Sequence, residues 1–360
     1  MNDKDLTPIQ LEIVNHVIDK MEEGNLDWAK DWVGRDMPYN AVTGRNYRGM
    51  NTLILRYCEK KYGYKDNRWL TAYNALQCGG HVRKGEKGVL IKAYKPKSLE
   101  QLMRECRRKG HDDVTMADLA KGNLPVDVFS AYTSPVVVFN AEQCEGIPKA
   151  KVPAFSWDSH EAAEEVIQAS GVPVFNDQKD RAFYSVIKDE IHLPPKTAFK
   201  TRDGYYGTAL HEVGHSTGAE KRLNRAMNSF MSNEGSYAKE ELRAELFSMF
   251  VGQSLGIADS ERQFNNNAAY LSSWLKALKD DKGELFKAAS DAQKAFDFMK
   301  TNVAAMYKEQ GKDPLLAPLQ DTHKPIPENE LQQVGKVSGL KKKTQTPHKK
   351  RVSRVEGNER

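Results

Sequence analysis

The stretch TALHEVGHSTG at residues 208–218 sets His211 and His215 four apart, with Glu212 beside the first. On a helix, positions i and i+4 lie one above the other on one face, so two imidazoles can reach a single tetrahedral zinc ion at about 2.0–2.1 Å each. Glu212 then stands next to the ion, where a carboxylate can take a proton from a metal-acidified water. The chemistry expected is attack by a metal-activated water. A catalytic zinc takes three protein ligands and leaves one position for water. A third histidine in the pattern HExxHxxGxxH is excluded, because Lys221 occupies that position. A carboxylate must serve instead, and AKEELRAELFSMF at 238–250 offers Glu240, Glu241 and Glu245. Glu241 and Glu245 share a helical face, and either can be the ligand on spacing alone. Glu240 reads as part of a solvated acidic face paired with Lys239 or Arg243. Tyr205, Tyr206 and Tyr237 are phenols that either donate to an oxyanion or pack with their hydroxyls bonded.

These residues need elements to hold them. Thr7 as N-cap and Pro8 at the first position start a helix over 6–23. Further helices are expected at 50–61 and from about 71, and strands at 89–94 and 134–140. The highly charged stretch 99–124 is helical in pattern. Around GIPKAKVPAF (146–155) prolines, lost periodicity and a change of charge sign mark a boundary. Beyond it come a helix at 160–170, a strand over 183–194, the HEVGH helix, a helix at 237–255 and two more between 267 and 306. The strand at 183–194 could offer an edge for pairing with a peptide. Two domains follow, one over 6–148 and one over 150–306. The fold class is α+β: an α+β first domain, then a mainly helical one with a small sheet. From about 313 the chain is rich in proline and lysine and is expected to be a basic, disordered tail through 360.

The charge is uneven. Residues 1–150 carry 23 basic and 20 acidic groups, 151–335 carry 22 and 27, and 336–360 carry 9 and 2, together the net +5. Arg45 to Lys109 alone holds 17 basic and 5 acidic residues, a polyanion-attracting surface. Within it Arg45, Tyr47, Arg48, Arg68, Trp69, Arg83, Lys84 and Lys87 interleave aromatic and basic side chains, and Trp28 and Trp32 precede them. Stacking on unpaired bases with phosphate tracking by Arg and Lys is how a single-strand binder works. The four cysteines are scattered without a CxxC pair, so neither a zinc ribbon nor a disulfide framework is expected. No run of eighteen apolar residues and no signal-peptide layout appear, which points to the cytoplasm and away from membranes.

Several blocks carry a family resemblance. WAKDW, PYNAVTGRNYRGMNTLIL, GYKDNRWLTAYNALQCGGHVRKGEKG and VVVFNAEQCEGIP resemble the N-terminal domain of ArdC-type antirestriction proteins and of the related TraC-type primases. Residues 183–225, YAKEELRAEL and the helical block from Tyr270 to Met299 resemble the zincin-like metallopeptidase domain of the same proteins. The ExxAE spacing is similar to the acidic helix of gluzincin peptidases. That implies Glu241 as the third ligand and Glu245 as the acid that orients a ligand histidine, with the reverse assignment still open. The resemblance covers about residues 6–306 and implies a protein of a mobile element that binds single-stranded DNA and protects incoming DNA from restriction. It implies one Zn2+, or another divalent ion, held by His211, His215 and Glu241, with Glu212 as general base. The protein substrate is not named by it; a restriction enzyme or another host DNA-processing protein is the expected class. Two alternatives stand beside this: a non-proteolytic protein that protects DNA sterically, and a primase-associated accessory protein of conjugation.

Overall fold

A computed structural model describes residues 6–24, 37–120, 131–148, 158–225, 227, 234–257, 267–321 and 323–332. Trp28 and Trp32 lie outside them. Helix α1 (Pro8–Glu22) starts on a capping box in which Thr7 accepts from the Gln10 amide and Gln10 accepts from the Thr7 amide. Next come β1 (Tyr39–Asn40), α2 (Met50–Tyr62), β2 (Arg68–Leu70), α3 (Ala72–Gln77), β3 (His81–Val82) and β4 (Val89–Pro96). Helices α4 (Leu99–Arg108) and α5 (Met116–Ala120) bury a small cluster of their own, Leu102, Cys106 and Leu119. Strand β5 (Ala131–Asn140) returns antiparallel to β4 from Val89 opposite Val138 to Pro96 opposite Ala131. The main sheet runs β1-β2-β5-β4, and β3 pairs with β6 (Cys144–Glu145).

The second half holds α6 (Ser159–Ala169), β7 (Val174–Phe175), β8 (Phe183–Ser185), β9 (Glu190–His192) and α7 (Arg202–Ser216). Helices α8 (Glu234–Leu255), α9 (Asn267–Asp280) and α10 (Glu284–Glu309) complete it. The single strand expected over 183–194 is instead a hairpin. Asp189 turns the chain at φ 56°, and its carboxylate accepts from Tyr184 Oη at 2.6 Å and from Arg222 Nη1 at 3.2 Å. Ile187, apolar and in step with a strand, is 92% exposed at that turn. The small sheet runs β7-β9-β8, leaving β8 at an edge beside α7.

The architecture is two-domain and mixed α/β. One apolar cluster nevertheless runs through both, from Val14, Leu55 and Trp69 to Leu210, Phe247, Phe250 and Met299. Helix α1 packs on α9, and α2 on α10. Among the described residues no helix is long and apolar enough to cross a membrane.

The disordered tail expected from 313 does not hold for residues 313–321 and 323–332. Ala317 and Leu319 are buried, Ile326 donates its amide to Val42 O at 2.8 Å, and Gln332 donates to Gln77 O at 2.8 Å. Proline and charge hide this segment from a composition argument, because it borrows an apolar surface made by α10 and the first domain. The remainder of the tail, 333–360, lies outside the described residues.

Candidate metal centre

Helix α7 is capped by Thr201, whose side chain accepts from the Gly204 amide at 3.0 Å. It is buried on nearly every side, which suits a helix at the middle of a domain. Gly214 sets how near α8 comes: a Cβ there would lie 2.9 Å from the Phe247 ring and 3.1 Å from Ala244 Cα. Bare glycine lets the two helices close, and the approach brings the two histidines against the acidic helix.

The result is a buried triangle. His211 Nε2 and His215 Nε2 are 3.1 Å apart, and the two Glu241 oxygens stand 3.3 Å from one nitrogen each. Bonds of about 2.05 Å in tetrahedral geometry put neighbouring ligand atoms about 3.3 Å apart. The donor set, two imidazoles and a carboxylate, therefore fits a small divalent ion, and His211, His215 and Glu241 form a group able to hold one. Glu245 meets the far nitrogen of His211, 3.5 Å from Nδ1. Of the two acids on that face, Glu241 is the one set between both Nε2 atoms.

Glu240 departs from expectation. It is 1% exposed rather than part of a solvated face. Its carboxylate lies 3.6 Å from His215 Nδ1 and accepts from Arg225 Nε at 3.0 Å. Arg225 also donates to Thr217 Oγ1 at 2.7 Å and Gly214 O at 2.8 Å. Each histidine thus has a carboxylate behind it, the arrangement that fixes a ligand's tautomer and ring orientation. Nothing in the spacing of EELRAEL marks Glu240, because its partner Arg225 comes from the loop after α7.

Burial disfavours charge on both histidines, but Glu241, with Glu245 at His211 and Glu240 at His215, outweighs it. Both pKa values are raised, that of His215 well above the ordinary range. Burial opposes ionisation of Glu241 too, yet the paired histidines hold it well below the usual carboxylate range. Glu212, 3% exposed, is pushed up by burial, and a Tyr184 backbone amide bonded to it only partly offsets this. A pH dependence follows. Protonated histidine stabilises the metal-free fold below about pH 6.5, and that contribution is lost as pH rises through the raised folded values. Metal needs the neutral rings, so affinity should rise with pH across the same window. Calorimetric metal titrations at about pH 6 and about pH 8 check this: tighter binding at the higher pH is expected, and an unchanged constant would contradict it.

The hydroxyls of Tyr205 and Tyr206 are engaged elsewhere. Tyr205 Oη meets Asn176 at 3.4 Å, and Tyr206 Oη donates to Glu164 at 2.9 Å.

The N-terminal expectations divide. Trp69 is fully buried with its Nε1 donating to Glu59 at 2.8 Å, so it has no face for a base. Tyr47 packs against the core, its pKa pushed up to about 12 by burial. Arg68 is folded onto Asp66 at 2.7 Å, Arg83 bonds Glu86 at 2.6 Å, and Arg48 pairs with Asp297 of α10. Arg45, Lys84 and Lys87 are exposed. Aromatic residues beside basic ones in sequence do not distinguish a stacking platform from a core.

Residues 161–291 match the model of the zincin-like metallopeptidase family, and residues 7–129 match that of the N-terminal domain of anti-restriction factor ArdC. The crystal structure of the antirestriction ArdC protein from plasmid R388, metal-free, superposes with a TM-score of 0.61 at 33% identity over 83% of this chain and 99% of that one. The Mn(II)-bound structure gives the same score and identity over 82% and 98%. DNA primase TraC of Escherichia coli is 37% identical over 321 residues, which are 87% of this chain and 29% of that protein. The chain therefore spans under a third of that relative's length. An uncharacterized protein y4eC of Sinorhizobium fredii is 28% identical over 81% of this chain and 92% of its own length. A solved ArdC matched over almost its whole length, with the two family models in sequence along the chain, shows that this protein belongs to the ArdC antirestriction family.

Proposed function

We propose that this antirestriction protein binds single-stranded DNA with its first domain and hydrolyses a protein with its second, as a zinc-dependent peptidase. The observation that carries the peptidase reading is the buried triangle of His211 Nε2, His215 Nε2 and Glu241, with Glu212 on the same helix turn. These three residues would hold the ion, zinc or another divalent metal such as the Mn(II) of the R388 relative. Bound there, it would polarise a peptide carbonyl and bring the pKa of a water to about 7. Glu212 takes a proton on its carboxylate and returns it to the leaving amine, a role its raised pKa suits. The amide of Tyr184 on β8, the edge strand beside α7, holds the base in place. Glu245 and Glu240 orient the ligand histidines. Incubating the metal-loaded chain with restriction endonucleases and other host DNA-processing proteins tests this. Discrete cleavage products that vanish with a chelator are expected, and products that persist without metal would overturn the metallopeptidase reading.

For the first domain, the exposed basic residues Arg45, Lys84 and Lys87 support phosphate tracking. Log affinity for a single strand falls with log salt at about 0.7 per phosphate contact, so neutralising all three should lower the slope by roughly 2. Anisotropy titrations across salt concentrations measure it. An unaltered slope, or equal affinity for duplex, would count against the assignment. The similarity to TraC favours a second reading, an accessory role beside a primase, which an assay for template-directed primer synthesis would detect.

A further inference from the structure

Residues 313–321 and 323–332 leave α10 and cross onto the first domain as a strap. Its root is fixed by buried Ala317 and Leu319, and Leu319 has φ 71°, an uncommon conformation for leucine. Beyond that bend the strap contacts one turn, Tyr39 to Asn46, in a particular way. The His323 ring lies flat on Tyr39, with centroids 3.5 Å apart and planes 5° from parallel. Two residues earlier, Asp321 Oδ1 accepts the Asn46 amide at 3.3 Å, and Oδ2 stands 3.9 Å from Lys300 Nζ. Gly44, at φ 69°, lies flush under the strap: a Cβ there would be 2.3 Å from the His323 carbonyl oxygen. Arg45, exposed, is on the same turn.

An anion held by a backbone amide and an ammonium, followed by a planar nitrogen heterocycle stacked on a tyrosine, has the layout of a nucleotide. Stacking beside cationic backbone tracking is how single strands are held without sequence preference. We propose that the face of Tyr39, the Asn46 amide and Lys300 form a nucleotide subsite for single-stranded DNA, which the chain's own Asp321 and His323 fill in its absence. This rests on the DNA-binding reading above. It supplies the stacking aromatic that buried Trp69 does not. The strap must swing away at Leu319 for a strand to enter; the motion breaks the Ile326–Val42 and Gln332–Gln77 backbone bonds but, because the segment from Asp321 on is mostly exposed, uncovers little apolar surface.

The test uses the full chain and a labelled oligothymidylate, followed by anisotropy at one salt concentration. Asp321→Ala with His323→Ala should bind about fivefold tighter or more, because a site open in a fraction of molecules weakens the apparent affinity by that fraction. In the same background, an oligonucleotide carrying 5-iodouracil should photo-crosslink at Tyr39, mapped by mass spectrometry. Wild type that binds while the double variant binds no tighter overturns the subsite, as does crosslinking elsewhere. Wild type that binds no oligonucleotide overturns the DNA-binding reading itself, and the subsite with it.

Discussion

Glu212→Gln should lower peptide hydrolysis by about 10²- to 10⁴-fold, the usual contribution of a positioned general base. Glutamine has the shape of glutamate and can still accept the Tyr184 amide that holds Glu212. It cannot take a proton from water at neutral pH. The three groups of the triangle are untouched, so metal content should stay as in the wild type. The metal-free variant should also melt at or above the wild-type temperature near neutral pH. A carboxyl whose folded pKa is raised loses stability as pH climbs from its unfolded value through its folded one, and an uncharged amide removes that cost. Activity down and stability held or raised is the signature of a residue kept for chemistry. Initial rates on a cleaved substrate, metal analysis and thermal melts together check it. A variant that cleaves at the wild-type rate would remove Glu212 from the mechanism.

The second large effect concerns stability. Arg225→Ala should destabilise the fold by about 3–5 kcal/mol, the cost of leaving a buried charge without its partner. Glu240 is 1% exposed, and Arg225 grips it through two contacts, Nη2 at 2.5 Å and Nε at 3.0 Å. The same guanidinium ties Thr217 and Gly214 at the end of α7, so its loss loosens the helix that carries both histidines. Metal affinity should drop by about 10- to 100-fold as well, since Glu240 backs His215. Urea unfolding measures the first and competition with a chromophoric chelator the second. Replacing both Arg225 and Glu240 by apolar residues of similar size should cost much less than Arg225→Ala alone, because no buried charge is orphaned. A single variant as stable as the wild type would mean that water or a neighbour already satisfies Glu240.

The parts of the structure that were legible in the sequence rest on local physics. The cap at Thr7, the proline after it and the apolar spacing through Val17 and Met21 are one helix's own rules, and α1 follows them. The same holds for α2, which ends at Gly63 in the left-handed conformation, and for the four-residue spacing that stacks His211 over His215. What was misread depends on distant partners. The alternation through Val186 to Leu193 continues past Ile187, but the Arg222–Asp189–Tyr184 network folds the chain back there. Trp69, open on sequence to the core or to stacking because its neighbours there are basic, has Glu59, Tyr64 and the core as its neighbours in space. Glu240 looked solvated because Arg225 is fifteen residues away. The strap looked disordered because its anchors lie on α10 and on the turn after Tyr39.

The metal triangle is the claim on which the rest depends, and a calorimetric titration of zinc into the chelator-stripped full chain at about pH 8, where the ligand histidines are closer to neutral, tests it most directly. One ion per chain is expected for the wild type, with binding weakened by at least about 100-fold in Glu241→Gln, which removes the charged third donor at 3.3 Å from both imidazoles. No saturable binding by the wild type, or equal affinity in the two proteins, would contradict it.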